Sequence, residues 1–358
     1  MPALYGKQYD RTELSKRVGS MDQIGGVRRV ELADGNEKGV EAFDFRTGSG
    51  MDFTVLAGRG MDISALNYRS YPLAWLSSTG IPAASYFEPE GLGWLRSFHG
   101  GLISTCGLTY AGAPSTDGDE ELGLHGRVSN IPAKSLSYGA SWHDDNYVLM
   151  AQGEIREASV FGANVLMTRR VSAFLGYPML HVQDVVENQG FAPQEHMLVY
   201  HCNLGFPLMD AGTELLAPSA EVRGQTEFAQ ETIDSHTTFD EPGDVDERVY
   251  YHKLNSDDDG NTIVGVINRN LGAGIGLAIT FNTEVLPNLV QWKMPGQGTY
   301  VMGIEPANCL VEGRPAERER GTLVELEPGE NRTYDLRFEV YEGPDAIEQL
   351  EGIVDSLR

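Results

Sequence analysis

Four short stretches of the chain place side chains that can move protons or form hydrogen bonds beside glycines or at the ends of apolar runs. They are RSFHGGLISTCG with Arg96 and His99, ELGLHGRVSN with His125, LVYHCNLGFPLMD with His201 and Asn203, and QWKMPGQGTYVMGIEPAN with Trp292, Lys293 and Glu305. Imidazole and carboxylate groups are common general acids and bases in proteins. The pattern therefore indicates acid–base chemistry on a rigid frame.

Glu305 is the most informative of these residues. It follows the apolar run of residues 301–304 and precedes a proline. Because side chains alternate between the two faces of a strand, a carboxylate at this position points into a core or into a cavity. There it must be paired or functional. The alternative is an acid at a strand end that faces water.

The other candidates also have structural alternatives. His99 precedes two glycines and either closes a turn or belongs to a site, and the same holds for His125. His201 follows Leu-Val-Tyr in a predicted buried strand, where a neutral histidine bonded to a backbone carbonyl is a common arrangement. Lys293 either binds a substrate anion or hydroxyl or extends to solvent. Trp292 is either a stacking platform for a sugar ring or a core residue, and the core is favoured.

The elements that must position these residues are strands. In residues 27–58 apolar and polar side chains exchange at every second position, and glycine-containing turns separate the runs. The 42 glycines and 17 prolines of the chain imply many turns. Helix is expected only in short pieces such as TELSKRV and DAIEQLEGIVDSL. The sequence predicts an all-β, mainly antiparallel fold, a large β-sandwich or supersandwich with its ligand site on the concave face.

The predicted organisation is a single domain over residues 1–358. It has an N-terminal extension over about residues 1–25 and a C-terminal helix over about residues 344–357, and no linker or repeat interrupts it. The acidic stretch of residues 234–261 has weak periodicity. We expect it to be an exposed excursion from a continuous sheet.

Charge and cysteine content restrict the partners. The chain has 27 Lys and Arg against 52 Asp and Glu, a formal charge of -25, which disfavours nucleic acids and anionic membranes. Three cysteines without a CxxC pair, and an N-terminus without an apolar run, predict a cytoplasmic protein. The oligomeric state is left open, and a homodimer is compatible with the sequence.

Five motifs, in their order along the chain, resemble the galactose mutarotase and aldose 1-epimerase superfamily, and in particular an aldose 1-epimerase-like branch without a defined substrate. They are VLAGRGMDISALNYRSYPLAWLS, GGLISTCGLTYAG, LGLHGRVSNIPA, YHCNLGFP and GIEPAN. The resemblance implies a monosaccharide or sugar-derivative substrate, interconversion of its anomers, and no cofactor.

The resemblance also implies roles for individual residues. Glu305 matches the catalytic base of the family and His201 its general acid, which predicts an ionised Glu305 and a protonated His201. His125 matches a histidine that contacts the sugar. His99 falls where many relatives place a sugar-binding arginine, and Arg96 is close enough to replace it. The aspartate with which the family holds sugar hydroxyls has no match here.

The remaining substrate-binding candidates are Arg59, Asn203, Lys293 and Trp292. Arg59, Arg96, Arg127 and Lys293 could form a local anion pocket, although surface ion pairs are the commoner use of such residues. The sequence therefore does not decide whether the sugar is charged.

Two other functions are compatible with the same pattern. In the first, His99, His125, His201 and Glu305 bind a divalent metal ion in a sugar isomerase, epimerase or lyase. In the second, the chain is a non-catalytic carbohydrate-binding protein that uses its four tryptophans as aromatic platforms.

Overall fold

The computed structural model describes residues 1–358, and most of its regular structure is β-strand. The strands are β1 Ala3–Leu4, β2 Lys7–Gln8, β3 Gly26–Glu31, β4 Glu41–Arg46, β5 Met51–Leu56, β6 Asp62–Tyr68, β7 Tyr71–Pro72, β8 Ser104–Leu108, β9 Ser115–Asp117, β10 Glu120–Leu122, β11 Lys134–His143, β12 Asn146–Ala158, β13 Asn164–Phe174, β14 Met179–Asn188, β15 Gln194–Gly205, β16 Glu214–Leu216, β17 Ser219–Gly224, β18 Arg248–Leu254, β19 Asn261–Asn268, β20 Ile275–Asn282, β21 Asn288–Pro295, β22 Tyr300–Ala307, β23 Val324–Leu326 and β24 Asn331–Glu342.

The four helices are short and lie between or after strands. They are α1 Arg11–Ser15, α2 Glu227–Glu231, α3 Arg314–Arg320 and α4 Pro344–Asp355. The helices expected near the two ends of the chain correspond to α1 and α4. No helix of the chain has both the length and the apolar character that crossing a membrane would need.

Three antiparallel sheets form the body of the fold. One has eight strands in the order β11-β12-β13-β14-β24-β20-β19-β16, a second follows β17-β18-β21-β22-β15-β23 with β8 also paired to β15, and a third runs β3-β4-β5-β6-β7. All three contribute side chains to one cluster of 54 buried apolar residues. This confirms the predicted all-β sandwich.

Strand alternation gives the second sheet two different faces. On β15 the side chains of Tyr200, Cys202 and Leu204 belong to the central core, as do Met302 and Ile304 on β22. The residues between them therefore point to the opposite face. That face is covered by the segment before β8 and the loops after it, so β15 is buried on both sides.

The acidic stretch of residues 234–261 is only partly the excursion that its composition indicates. Its second half forms β18, which pairs with β17 and β21 inside the second sheet. The sequence RVYYHKL supplies the aromatic and β-branched side chains that suit such a strand.

A buried ion cluster connects the sheets behind β15. The Arg169 guanidinium on β13 donates to both carboxylate oxygens of Asp184 at 2.8 and 2.6 Å and to Asp62 at 2.9 Å. Thr105 Oγ1 also donates to Asp62 at 2.6 Å, and Tyr200 Oη donates to Asp184 at 2.8 Å. The side chains of Arg169, Asp62 and Asp184 are inaccessible to solvent. The cluster therefore fixes β8 and β15 relative to β6, β13 and β14.

Candidate active site

A cavity of about 590 Å³ opens on the outer face of the second sheet. This volume lies in the range of pockets that bury small-molecule ligands. Its walls come from the second sheet, from residues 75–98 and from the loops that follow β8. The lining residues are Trp75, Ser77, Ser78, Thr79, Leu92, Trp94, Leu95, Phe98, Ala113, Pro114, Leu124, His125, His201, Gln225, Glu247, Val249, Val290, Trp292, Thr299, Glu305 and Val311.

Glu305 and His201 meet on the floor of this cavity because their strands are neighbours. β15 and β22 are antiparallel, with Cys202 opposite Ile304, and this register places His201 beside Glu305 on the outer face. On the other side of Glu305, Val290 of β21 is its direct cross-strand partner. Two positions far apart in sequence are thus fixed by regular strand pairing, which positions side chains more accurately than a loop.

The two side chains are close but are not hydrogen-bonded to each other. His201 Nε2 lies 3.4 Å from Glu305 Oε1, and the side chains are 8% and 3% exposed. Glu305 Oε1 and His201 Nδ1 are buried and have no hydrogen-bond partner in the protein. Since buried polar atoms normally find partners, unpaired atoms on both members of this pair mark it as a candidate for function.

Burial controls the protonation of this pair. It raises the pKa of Glu305 well above its ordinary value, and the nearby Glu247 adds to the effect. It lowers the pKa of His201 to about 3, with a further contribution from His125. Burial therefore opposes the ionised Glu305 and protonated His201 predicted from the sequence and favours the neutral form of each group, because desolvation disfavours their charged forms.

His125 forms the third polar group of the floor. It adopts a left-handed backbone conformation with φ 58°, and its amide donates to the carbonyl of Gly112 at 2.9 Å. Its ring is perpendicular to that of His201, with centroids 5.7 Å apart. Burial lowers the pKa of His125 to about 4, so its ring is a neutral hydrogen-bonding group at neutral pH.

Aromatic rings surround the floor. Trp94 and Phe98 stack with centroids 4.4 Å apart, and the Phe98 and Trp292 rings lie 5.0 and 5.5 Å from that of His201. Trp75 meets Trp292 edge to face at 6.1 Å. The preference for a core position of Trp292 is therefore revised, because this residue lines the cavity.

Glu247 is a lining residue that the sequence analysis did not identify. Its Oε2 accepts a hydrogen bond from Trp292 Nε1 at 2.8 Å. The loop that carries Glu247 is anchored by Asp240, whose carboxylate binds the Lys293 ammonium at 2.9 Å and whose carbonyl accepts from Tyr300 Oη at 2.7 Å. The signal that could have identified Glu247 is its position directly before a strand whose neighbours carry the site.

Three cationic side chains predicted to bind substrate lie outside the cavity. Arg59 is buried and donates to the carbonyls of Ser129, Pro82 and Ser97, so it stabilises loop backbone. Lys293 lies on the face of β21 opposite to Trp292 and holds the Asp240 loop. Arg96 is 75% exposed and pairs with Glu88 at the surface. Arg127 does not line the cavity either, so the local anion pocket considered above is not formed.

Asn203 and His99 are close to the site without lining it. The Asn203 amide donates to the carbonyls of Gly101 and His201 at 3.1 and 2.8 Å, which fixes the strand that carries His201. His99 is 1% exposed, and burial followed by the charge of Arg59 lowers its pKa well below the ordinary value. Neither residue lines the cavity.

The metal-dependent alternative requires a ligand cluster that the fold does not assemble. No group of three or more His, Cys, Asp and Glu side chains has the arrangement of a metal site. His99 does not line the cavity that contains His125, His201 and Glu305. The four predicted ligands are thus divided between the cavity and the packing behind it.

Solved structures show which fold this is. A Klebsiella pneumoniae protein named "putative aldose 1-epimerase" is 23% identical and aligns over 94% of this chain and 90% of its own with a TM-score of 0.89. The galactose 1-epimerase of Lactobacillus acidophilus is 13% identical over 89% and 99% of the two chains, with a TM-score of 0.59. A galactose mutarotase-like protein of Clostridium acetobutylicum is 11% identical over 88% and 98%, also with a TM-score of 0.59.

Sequence comparison gives the family. None of the curated protein sequences matches the chain. A family model described as a domain of unknown function, DUF4432, matches residues 37–340, which is most of the chain. The predicted resemblance in fold is confirmed by the solved structures. The chain therefore belongs to the DUF4432 family and has the galactose mutarotase-like fold.

Proposed function

We propose that this protein is a sugar mutarotase, an isomerase that interconverts the α and β anomers of an aldose. The observation that carries the proposal is the pairing of Glu305 and His201, 3.4 Å apart on the floor of one cavity, each with a buried polar atom that the protein leaves unpaired. The names of the similar structures, which include a galactose 1-epimerase, agree with a sugar hemiacetal as substrate.

The reaction needs one acid and one base beside a single carbon atom. Opening the ring breaks the bond between C1 and the ring oxygen, moves the proton of the C1 hydroxyl to a base and delivers a proton to the ring oxygen. The aldehyde then rotates about the C1–C2 bond, and the ring closes on its other face with the proton transfers reversed. No net proton, electron or water is consumed.

The neutral pair, which is the protonation state that burial favours, carries the one proton that this cycle requires. Glu305, as a carboxylic acid, donates to the ring oxygen, while His201, as a neutral imidazole, accepts the proton of the C1 hydroxyl. Ring opening leaves a carboxylate and an imidazolium, the states predicted from the sequence for the resting enzyme. Ring closure then uses them in the opposite roles, so both protonation patterns belong to one cycle.

The remaining lining residues fit the binding of a sugar ring. Trp292 and Phe98 flank His201, and aromatic faces pack against the C–H surfaces of sugars. Glu247 keeps one carboxylate oxygen unused by Trp292, and we assign that oxygen to a sugar hydroxyl. This gives the cavity the hydroxyl-binding carboxylate for which the sequence offered no aspartate.

The direct test is magnetisation-exchange NMR of aldoses with and without the protein. We expect accelerated exchange between the two C1 proton signals. The rate should not decline from about pH 7 to about pH 5, because a histidine with its pKa lowered to about 3 stays neutral throughout and the raised pKa of Glu305 favours its protonated form as pH falls.

Two results would count against different parts of this proposal. Exchange no faster than in buffer for every aldose tested would remove the mutarotase function. Accelerated exchange that declines with a midpoint near the ordinary histidine value of 6.5 would keep the function and reject the neutral pair.

Gly303 gives a more local test, because a methyl group there would overlap Glu305 Oε1 and lie 3.0 Å from Trp292 Cβ. The carboxyl end of Glu305 can swing away, so we expect Gly303→Ala to fold normally. The displaced carboxyl should slow anomer exchange about 100-fold, the cost typical of a catalytic group misplaced by about 1 Å.

The matched control is Gly352→Ala on α4, where an added methyl group meets nothing within 4 Å. It should leave exchange unchanged. Wild-type exchange in Gly303→Ala, at an unchanged unfolding midpoint, would show that the position of Glu305 does not matter.

A further inference from the structure

The mouth of the cavity exposes two leucines. Leu92 is 61% exposed and Leu95 is 48% exposed, and both line the cavity above the stacked rings of Trp94 and Phe98. Single exposed leucines are common on protein surfaces. Two at the entrance of an apolar-walled pocket form a contiguous surface that suits an apolar group of a ligand.

The backbone holds these leucines in place. A methyl group on Gly93 would overlap the carbonyl of Glu88, so the backbone at Gly93 is packed closely against that at Glu88. The Leu124 amide donates to the carbonyl of Gly91 at 2.8 Å, and Arg96 pairs with Glu88 at 3.2 Å. The apolar surface is therefore a fixed part of the cavity wall.

Three polar side chains that line the cavity form hydrogen bonds within the protein. Ser77 Oγ and Thr79 Oγ1 both donate to the Phe98 carbonyl, at 2.5 and 3.0 Å. Gln225 Nε2 donates to Tyr251 Oη at 2.8 Å. These three side chains are therefore partly occupied, and a ligand hydroxyl buried beside the leucines themselves would lose water without gaining a partner from them.

The charged lining residues restrict the ligand further. The acidic groups that face the cavity are Glu305 and Glu247, and the two floor histidines, His125 and His201, are held neutral by burial. The cations considered in the sequence analysis point elsewhere. No lysine or arginine lines the cavity, so a phosphate, sulfonate or uronate group would find no cationic partner there.

From these observations, and resting on the proposed function, we propose that the substrate is an uncharged, amphipathic sugar. Its hemiacetal lies on the floor beside Glu305 and His201. An apolar substituent on the part of the ring distant from C1, of the aryl, acyl or alkyl class, packs between Leu92, Leu95 and the Trp94 ring.

The test compares D-galactose, D-galacturonate and galactose benzylated at O4 or O6 in the NMR exchange assay. We expect kcat/KM to be at least about tenfold higher for one benzylated sugar than for galactose, and no acceleration for galacturonate. The Leu92→Ser/Leu95→Ser double variant should lower the ratio of kcat/KM for the benzylated sugar to kcat/KM for galactose about tenfold or more, since a few methylene groups in an apolar pocket contribute this much. Leu76→Ser is the control, since Leu76 is 55% exposed but does not line the cavity.

The outcomes separate this proposal from the mutarotase function. Galactose turned over as well as the benzylated sugars would overturn the amphipathic substrate and keep the function. Tryptophan fluorescence that responds to a benzylated sugar without any exchange would support the substrate class and remove the function. No response in either assay would remove both. A double variant that changes only the oligomeric state in light scattering would assign the leucines to a contact between copies and overturn the proposal.

Discussion

Glu305→Gln is expected to slow anomer exchange by about 10²–10⁴-fold, the usual contribution of a positioned general acid or base. The amide has nearly the shape of the carboxylic acid, so the cavity and the strand pairing of β22 should be retained. What is lost is the transferable proton beside His201. The measurement is the NMR exchange rate on whichever aldose the wild-type protein accelerates, with circular dichroism to confirm folding.

His201→Ala provides the complementary variant, and the double variant tests whether the two groups act together. Because each proton transfer needs both partners, removing the second group should cost little once the first is gone. Glu348→Gln on the exposed face of α4 is the control and should exchange at the wild-type rate. Losses that multiply in the double variant would show that Glu305 and His201 act independently, and near-wild-type exchange in either single variant would reject the mechanism.

The part of the site that could be predicted from the sequence is the part that regular strands determine. Glu305 and His201 each interrupt a buried strand with a polar side chain, and period-2 alternation places both away from the core. Once the strands that carry these two residues are known to be neighbours in the sheet, their pairing brings the side chains together. The fold class was predictable for the same reason, since alternation and turn residues recur along the whole chain.

The rest of the site depends on contacts that local patterns do not encode. Lys293 and Glu247 show this most clearly: the lysine looked like a substrate ligand, yet it binds Asp240 and so anchors the loop that brings Glu247 into the cavity. Arg59 has the charge of an anion ligand, but its guanidinium is used by three backbone carbonyls. The protonation states of Glu305 and His201 could not be predicted either. They depend on burial, which cannot be deduced from the residues adjacent in sequence.

Arg169→Met is expected to lower the free energy of unfolding by about 3–5 kcal/mol, because it leaves buried carboxylates without their shared cation. Asp62 and Asp184 would lose the three hydrogen bonds that the guanidinium donates to them, and Thr105 Oγ1 would lose a fourth. Tyr200 and Thr105 are hydrogen-bonded to this cluster. Tyr200 is adjacent in sequence to His201, and Thr105 is adjacent to Ser104, the cross-strand partner of His201. The variant should therefore also slow anomer exchange at temperatures where it stays folded. Denaturant unfolding followed by circular dichroism measures the first effect.

The pH dependence distinguishes loss of the ion cluster from a simple packing defect. Burial raises the pKa of Asp62 to about 6 even with Arg169 in place, so the folded state binds more protons than the unfolded state between the ordinary value of 3.8 and about 6. The contribution of Asp62 to stability therefore falls as pH rises through this window. Without Arg169 its pKa climbs further, and the deficit of the variant should be larger at about pH 7 than at about pH 5. Arg170→Met, on the exposed side of the same strand, should show neither effect, and an Arg169→Met deficit that is small or independent of pH would mean that the buried charges do not hold β8 and β15 in place.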